Sequence, residues 1–117
     1  MEQSKQRARD MLKKQNPEYK MAMLIIKEIS NRKGISYEDM RKITRKEGIV
    51  VARQLCMDFI KRKTQLTEYQ IGELFNQKHS TVNHAINKAI PSWLKKHHFK
   101  LSYDAIERSI DNINVPN

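Results

Sequence analysis

The sequence predicts an all-α fold, a small helical bundle formed by one domain. Three observations carry this. Only three glycines and three prolines punctuate 117 residues. Apolar residues recur at helical rather than alternating spacing. Two stretches, Ser36-Tyr37-Glu38-Asp39 and Thr67-Glu68-Tyr69-Gln70, place a hydroxyl three residues ahead of an acid or amide. That pattern closes the free N–H groups of a helix start.

Residues 1–17 are polar, with Lys5, Arg7, Arg9, Lys13 and Lys14 against Glu2 and Asp10. They read as a basic arm or a frayed helix, closed by Pro17. A first helix is expected over 18–33, with Met21, Leu24, Ile25, Ile26 and Ile29 on a wide apolar face and Gly34 as its stop. A short helix then starts at Ser36 and carries Met40 and Ile43 inward, and Thr44 to Gly48 reads as a loop. The third helix, 49–63, is expected to bury Val51, Ala52, Leu55, Cys56, Phe59 and Ile60 and to turn Arg53, Lys61, Arg62 and Lys63 outward. Thr67 caps a helix over 67–76 with Ile71, Leu74 and Phe75 inward; a turn of roughly three or four residues leads to a helix over 80–90. Short helix, tight turn and second helix make a helix-turn-helix. Past Pro91, Trp93-Leu94 form a brief helix and 102–113 a terminal one. The chain thus divides into 1–17, a domain over 18–90, and a helical extension over 91–117.

The chain carries 23 Lys+Arg against 13 Asp+Glu, a formal net charge of +10 and a pI of about 9.9. Such an excess suits a polyanionic partner, nucleic acid or an acidic membrane surface; a merely soluble basic protein is the plain alternative. Placement favours nucleic acid. Residues 41–63 hold eight Lys/Arg against Glu47 and Asp58, whereas 99–117 hold two basic residues against three acids. The longest dense apolar run, residues 21–26, is far too short to span a bilayer. The start of the chain lacks the apolar core of a signal peptide. Cys56, the single cysteine, excludes an internal disulfide and fits a reducing cytoplasm. A cytoplasmic protein without a membrane partner is expected.

The stretch NQKHSTVNHAINKAI, residues 76–90, holds the candidate binding residues. On a helix from Ser80, the residues Val82, Ala85, Ile86, Ala89 and Ile90 face inward. Thr81, His84 and Lys88 form an outward stripe flanked by Asn83 and Asn87, with Lys78 and His79 just before the first turn. That end of a recognition helix projects furthest into a major groove. Hydroxyls there can meet bases or phosphates, a threonine methyl can meet a thymine methyl, and Asn or His can bond purine edges. Free N–H groups at the helix start favour phosphate. Taken alone, the helix fits an ordinary solvated face equally well. A metal site fits worse, because His79 and His84 are five residues apart and His97-His98 have no Cys or acid cluster nearby. Cys56 lies on a stripe expected to be buried, where a thiol is inert. No glycine-rich phosphate loop occurs. Neither catalysis, a cofactor nor a nucleotide is expected.

Three strings, Ala52-Arg53-Gln54, Ile71-Gly72-Glu73-Leu74-Phe75 and His79-Ser80-Thr81-Val82-Asn83-His84-Ala85, resemble the ARQ, IGxxF and HTTVxHA strings of one family in order and near-matching separation. That family is the C-terminal DNA-binding domain of the bacterial replication initiator DnaA, and the resemblance covers about residues 21–90. It implies a helical bundle of the Trp-repressor-like kind with double-stranded DNA as partner. The helix-turn-helix would read a short box, and a basic loop would reach the adjacent minor groove. By position it implies that Lys78, His79, Ser80 and Thr81 face bases or phosphates, with His84 and Lys88 further along. Lys42, Arg45 and Lys46 would form the basic loop, Arg53 and Gln54 would sit on its supporting helix, and Thr67 would meet a phosphate. The departures are specific. The family's Gly-Gly-Arg-Asp becomes Asn76-Gln77-Lys78, one residue shorter and without the acid that would help select a cytosine or orient neighbouring side chains, so the resemblance leaves the target box open. Ile43 and Glu47 dilute the basic loop, and no Walker sequence marks an ATPase module. The expectation is a stand-alone, sequence-specific DNA binder acting in replication control or transcription regulation, with replication or transcription proteins as further partners. The alternative is a protein-interaction adaptor or decoy that keeps the fold without specific reading; a structured-RNA binder and an enzyme rank behind it.

Overall fold

Leu55 to Ile60 are six consecutive buried residues, and a helix apolar on every side must run through the middle of a core. The computed structural model, which describes residues 16–113, places them on the central helix. The helices are α1 (Pro17–Lys33), α2 (Tyr37–Met40), α3 (Glu47–Lys63), α4 (Glu68–Leu74), α5 (His79–His84), a π-helical turn (Ala85–Ala89), α6 (Ile90–Trp93) and α7 (His97–Asp111). The fold is all-α, a helical bundle around α3, which packs against α1, α2, α4, the π turn and α6. Between Leu55 and Ile60 α3 is therefore buried all round where a one-sided stripe was expected, while Lys61 and Arg62 beyond it are exposed as expected.

Local chemistry sets the ends. The Asn16 side chain accepts from the Glu18 N–H at 2.8 Å, and Pro17 opens α1 rather than closing an arm. A proline is tolerated there because its missing N–H would have had no helical partner. The rest of the expected arm, residues 1–15, lies outside the described residues. Gly34, at φ 66, ends α1 in the left-handed region. Ser36 caps α2 through the Asp39 N–H at 3.1 Å. Thr67 and Gln70 form the expected reciprocal capping box of α4.

Two expectations fail here. Ile43 does not follow Met40 inward: α2 ends at Met40, and Ile43 stands 95% exposed. The helix expected over 80–90 begins at His79 and continues past Pro91 as α6. A proline ring clashes with the carbonyl four residues back in a regular α-helix. The π turn, closed by Ile90 N–H to the Ala85 carbonyl, widens the helix just before Pro91 and so accommodates it.

The extension after α6 belongs to the core. α7 starts five residues earlier than expected and buries Tyr103, Ile106 and Ile110. Tyr103 stacks on Phe59 at 4.6 Å and donates to the Asp58 carboxylate. Burial pushes the Asp58 carboxyl above its usual range and the Tyr103 hydroxyl far above its own. The end of α3 is tied down too. Arg62 meets Glu107 at 2.6 Å, and Lys63 meets Glu107 at 3.1 Å and Asp111 at 2.9 Å. Arg62 and Lys63 were counted in the basic region beside the helix-turn-helix. They lie about 24 Å along α3 from its start and are paired with acids of α7.

Candidate nucleic-acid interface

α4, the turn Phe75–Lys78 and α5 form a helix-turn-helix whose tightness depends on Gly72. The Gly72 carbonyl accepts from Phe75 N–H at 3.0 Å and from Gln77 N–H at 2.9 Å. A Cβ at Gly72 would stand 2.4 Å from the Gln77 carbonyl oxygen, closer than a methyl group can come. Asn76 takes the left-handed conformation, φ 55, which asparagine tolerates better than most residues. Three residues, Asn76 to Lys78, therefore suffice between Phe75 and His79 where the resembled strings use four. Tyr37 holds the turn from α2: its hydroxyl donates to the Leu74 carbonyl at 2.5 Å and its ring meets Phe75 edge-on at 5.9 Å.

α5 starts at His79 after Lys78, which supplies no side-chain cap. The Lys78 carbonyl takes the Thr81 N–H at 3.0 Å and the Val82 N–H at 3.3 Å, which leaves the N–H groups of His79 and Ser80 for an outside acceptor. His79, Ser80, Asn83, His84, Asn87 and Lys88 are exposed, Val82 and Ala85 are buried, and Thr81 is half-buried at the flank of the polar face. The stripe expected through Thr81, His84 and Lys88 is displaced, since the π turn adds a residue per turn beyond His84. His79 is held from α4. The Tyr69 ring of α4, 63% exposed, stacks on it at 4.1 Å, with hydroxyl and Nε2 3.4 Å apart. Asn83 Nδ2 donates to Glu68 at 3.3 Å, a second tie from α4.

The basic loop, residues 41–46, is docked onto this unit by Asn76 Nδ2, which donates to the Arg41 carbonyl at 3.4 Å. Arg53 was expected on the outward face of its helix; it is buried and donates to the Met40 and Lys42 carbonyls at 3.1 Å each. Burial lowers its pKa. The guanidinium fastens the loop from beneath and is not free for a phosphate. Thr44 Oγ1 accepts from Lys46 N–H at 3.2 Å, and Lys46, which precedes the first residue of α3, supplies no side-chain cap. Lys42 pairs with Asp39 at 2.8 Å, which draws the Asp39 carboxyl below its usual range. Arg45 and Lys46 are exposed and, among the described residues, lie in no ion pair. Gln54 is half-buried in a cleft of about 330 Å³ with Thr44, Arg45, Val51 and Trp93, its Oε1 unpartnered among the described residues. Thr67 stands apart: its N–H and Oγ1 are both used by the capping box, leaving only the hydroxyl proton. Cys56 is fully buried against Met40, its thiol pKa raised far by burial.

The structure thus brings Lys78, His79, Ser80, His84 and Lys88 together on one polar face and fastens the loop of Lys42, Arg45 and Lys46 beside it. Over residues 22–89 the sequence matches the family model described as the bacterial DnaA protein helix-turn-helix. The chain belongs to that family of DNA-binding domains. It is 36% identical over 72 residues to the chromosomal replication initiator protein DnaA of Kosmotoga olearia, covering 62% of this chain and 16% of that protein. It is 44% identical over 55 residues to the DnaA of Gloeobacter violaceus, covering 46% and 12%. It is 34% identical over 93 residues to that of Crocosphaera subtropica, covering 79% and 20%. The chain spans a fifth or less of the length of these DnaA relatives. Among the described residues no helix is long and apolar enough to cross a membrane.

Proposed function

We propose that this DnaA-type domain binds double-stranded DNA sequence-specifically, with the first turn of α5 in the major groove. Ser80, His79, His84 and the half-buried Thr81 meet base edges, and Lys78 and Lys88 meet the backbone. Arg45 and Lys46, with Lys42 once it leaves Asp39, neutralise phosphates beside that groove. Arg53 and Gln54 shape the loop from α3, and the Thr67 hydroxyl lies at the edge of the contact. The observation that supports this best is the start of α5: an uncapped helix end with a wholly polar face. Such a combination serves phosphate and base edges better than it serves a core. The process is replication initiation and its control, or transcription regulation at the same kind of box, with proteins of that process as further partners.

Selection of bound sites from a random duplex pool at moderate salt tests the proposal. Enrichment of one box supports it. Uniform recovery would reduce it to non-specific binding, and no recovery would overturn it in favour of an adaptor that has kept the fold.

A further inference from the structure

Ile43 is the most exposed large hydrophobic residue among those described, at 95%. A lone exposed apolar side chain is ordinary on a protein surface. This one is held out by its surroundings. On its N-terminal side, Arg53 binds the Lys42 carbonyl and Asn76 binds that of Arg41; on its C-terminal side, Thr44 binds the Lys46 N–H. The loop does not swing freely. The nearby cleft of about 330 Å³ is lined by Thr44 and Arg45, the next two residues, together with Val50, Val51 and Trp93, and not by Ile43. Its branched Cβ also restricts χ1, so the exposed side chain is stiff. Lys42, Arg45 and Lys46 surround it in sequence, and the turn that leads into α5 holds the loop from the other side.

We propose that Ile43 is an apolar wedge that enters a minor groove and inserts at a base step, partly unstacking it and kinking the duplex. The proposal rests on the DNA-binding reading above. With α5 in a major groove, a loop held beside it by Asn76 would meet the bordering backbone and minor groove, the placement that the family resemblance also implies. Apolar side chains carried to that groove among Lys and Arg unstack base steps and bend the duplex away. Pyrimidine–purine steps such as TA unstack most easily, whereas A-tracts are stiff. Ile43 therefore adds a preference at a flanking position where no hydrogen bond reads the base.

The test uses end-labelled duplexes of about 30 base pairs carrying the selected box, flanked by a TA step or an A-tract, with binding and end-to-end energy transfer read on the same samples. The parent is expected to bend the TA-flanked duplex by about 20° or more and to prefer it roughly tenfold over the A-tract duplex. Ile43→Ala should melt like the parent, still bind, leave the duplex straight and lose the flank preference. Ile43→Met, which keeps apolar reach, should retain the bend. A parent complex that is not bent, or an Ile43→Ala complex bent as much as the parent, overturns the wedge while leaving DNA binding intact. Absence of any binding curve with the parent overturns the DNA reading and the wedge with it.

Discussion

Replacing Gly72 by Ala probes the joint on which the helix-turn-helix depends. The new methyl would lie 2.4 Å from the Gln77 carbonyl oxygen. The obstacle is backbone rather than the far end of a flexible side chain, since the Gln77 and Lys78 carbonyl carbons lie at 3.4 Å as well. Relief requires the turn to open. Strain of this kind costs about 1–3 kcal/mol, and losing the Gln77 bond adds about 0.5–1.5 kcal/mol. The better helix propensity of alanine returns about 0.5–1 kcal/mol. The net cost is about 0.5–4 kcal/mol, and its midpoint of about 2 kcal/mol is a fall in melting temperature of roughly 8–16 °C for a domain of this size. Gly48 is the internal control: a Cβ there meets only Ile35 Cδ1 at 3.7 Å, so Gly48→Ala should stabilise by about 0.4–1 kcal/mol. Thermal melts and denaturant titrations of both variants decide the matter. If Gly72→Ala melts at or above the parent, the contact does not constrain the turn and the reasoning fails.

Two further outcomes are expected. Lys42, Arg45, Lys46, Lys78 and Lys88 are the exposed cations of the proposed interface, so log K against log [salt] should fall with a slope of roughly −4 to −5, and Arg45→Ala should flatten it by about one; an unchanged slope would remove Arg45 from the contact. Arg53→Met keeps the apolar stem and deletes both loop carbonyl bonds, so it should cost about 1.5–3 kcal/mol in stability and weaken DNA binding even where the domain stays folded. Parent-like stability and affinity would refute its role as the fastening of the loop.

The sequence made the helices legible where local chemistry decides them. Ser36 and Thr67 announce their helix starts by hydroxyl and spacing, Gly34 its stop by glycine's freedom of φ, and Tyr103, Ile106 and Ile110 lie on the core face of a terminal helix recognisable in outline. What escaped depends on partners distant in sequence. Arg53 looked like a surface cation because nothing local shows that the Met40 and Lys42 carbonyls lie above it. Ile43 looked buried because the helical period was carried past the point where α2 stops. Arg62 and Lys63 counted toward a DNA-facing charge until α7 brought Glu107 and Asp111 to them. In the candidate site, the composition of α5 pointed to its polar face. The hold of Tyr69 on His79 required the crossing of α4 and α5. The displacement of Lys88 from the Thr81 stripe required the π turn. The proline at 91 was visible, but it reads equally well as a helix stop.

The most direct test of sequence reading by α5 is a titration of the parent and the Ser80→Ala/Thr81→Ala double variant against the selected box and a scrambled duplex. Both hydroxyls lie in the first turn and neither residue is fully buried, so the fold should survive. The expected result is a loss of about 1–3 kcal/mol on the selected box with scrambled binding nearly unchanged. Equal losses on both duplexes would contradict base reading by this turn and leave α5 holding DNA without discriminating it.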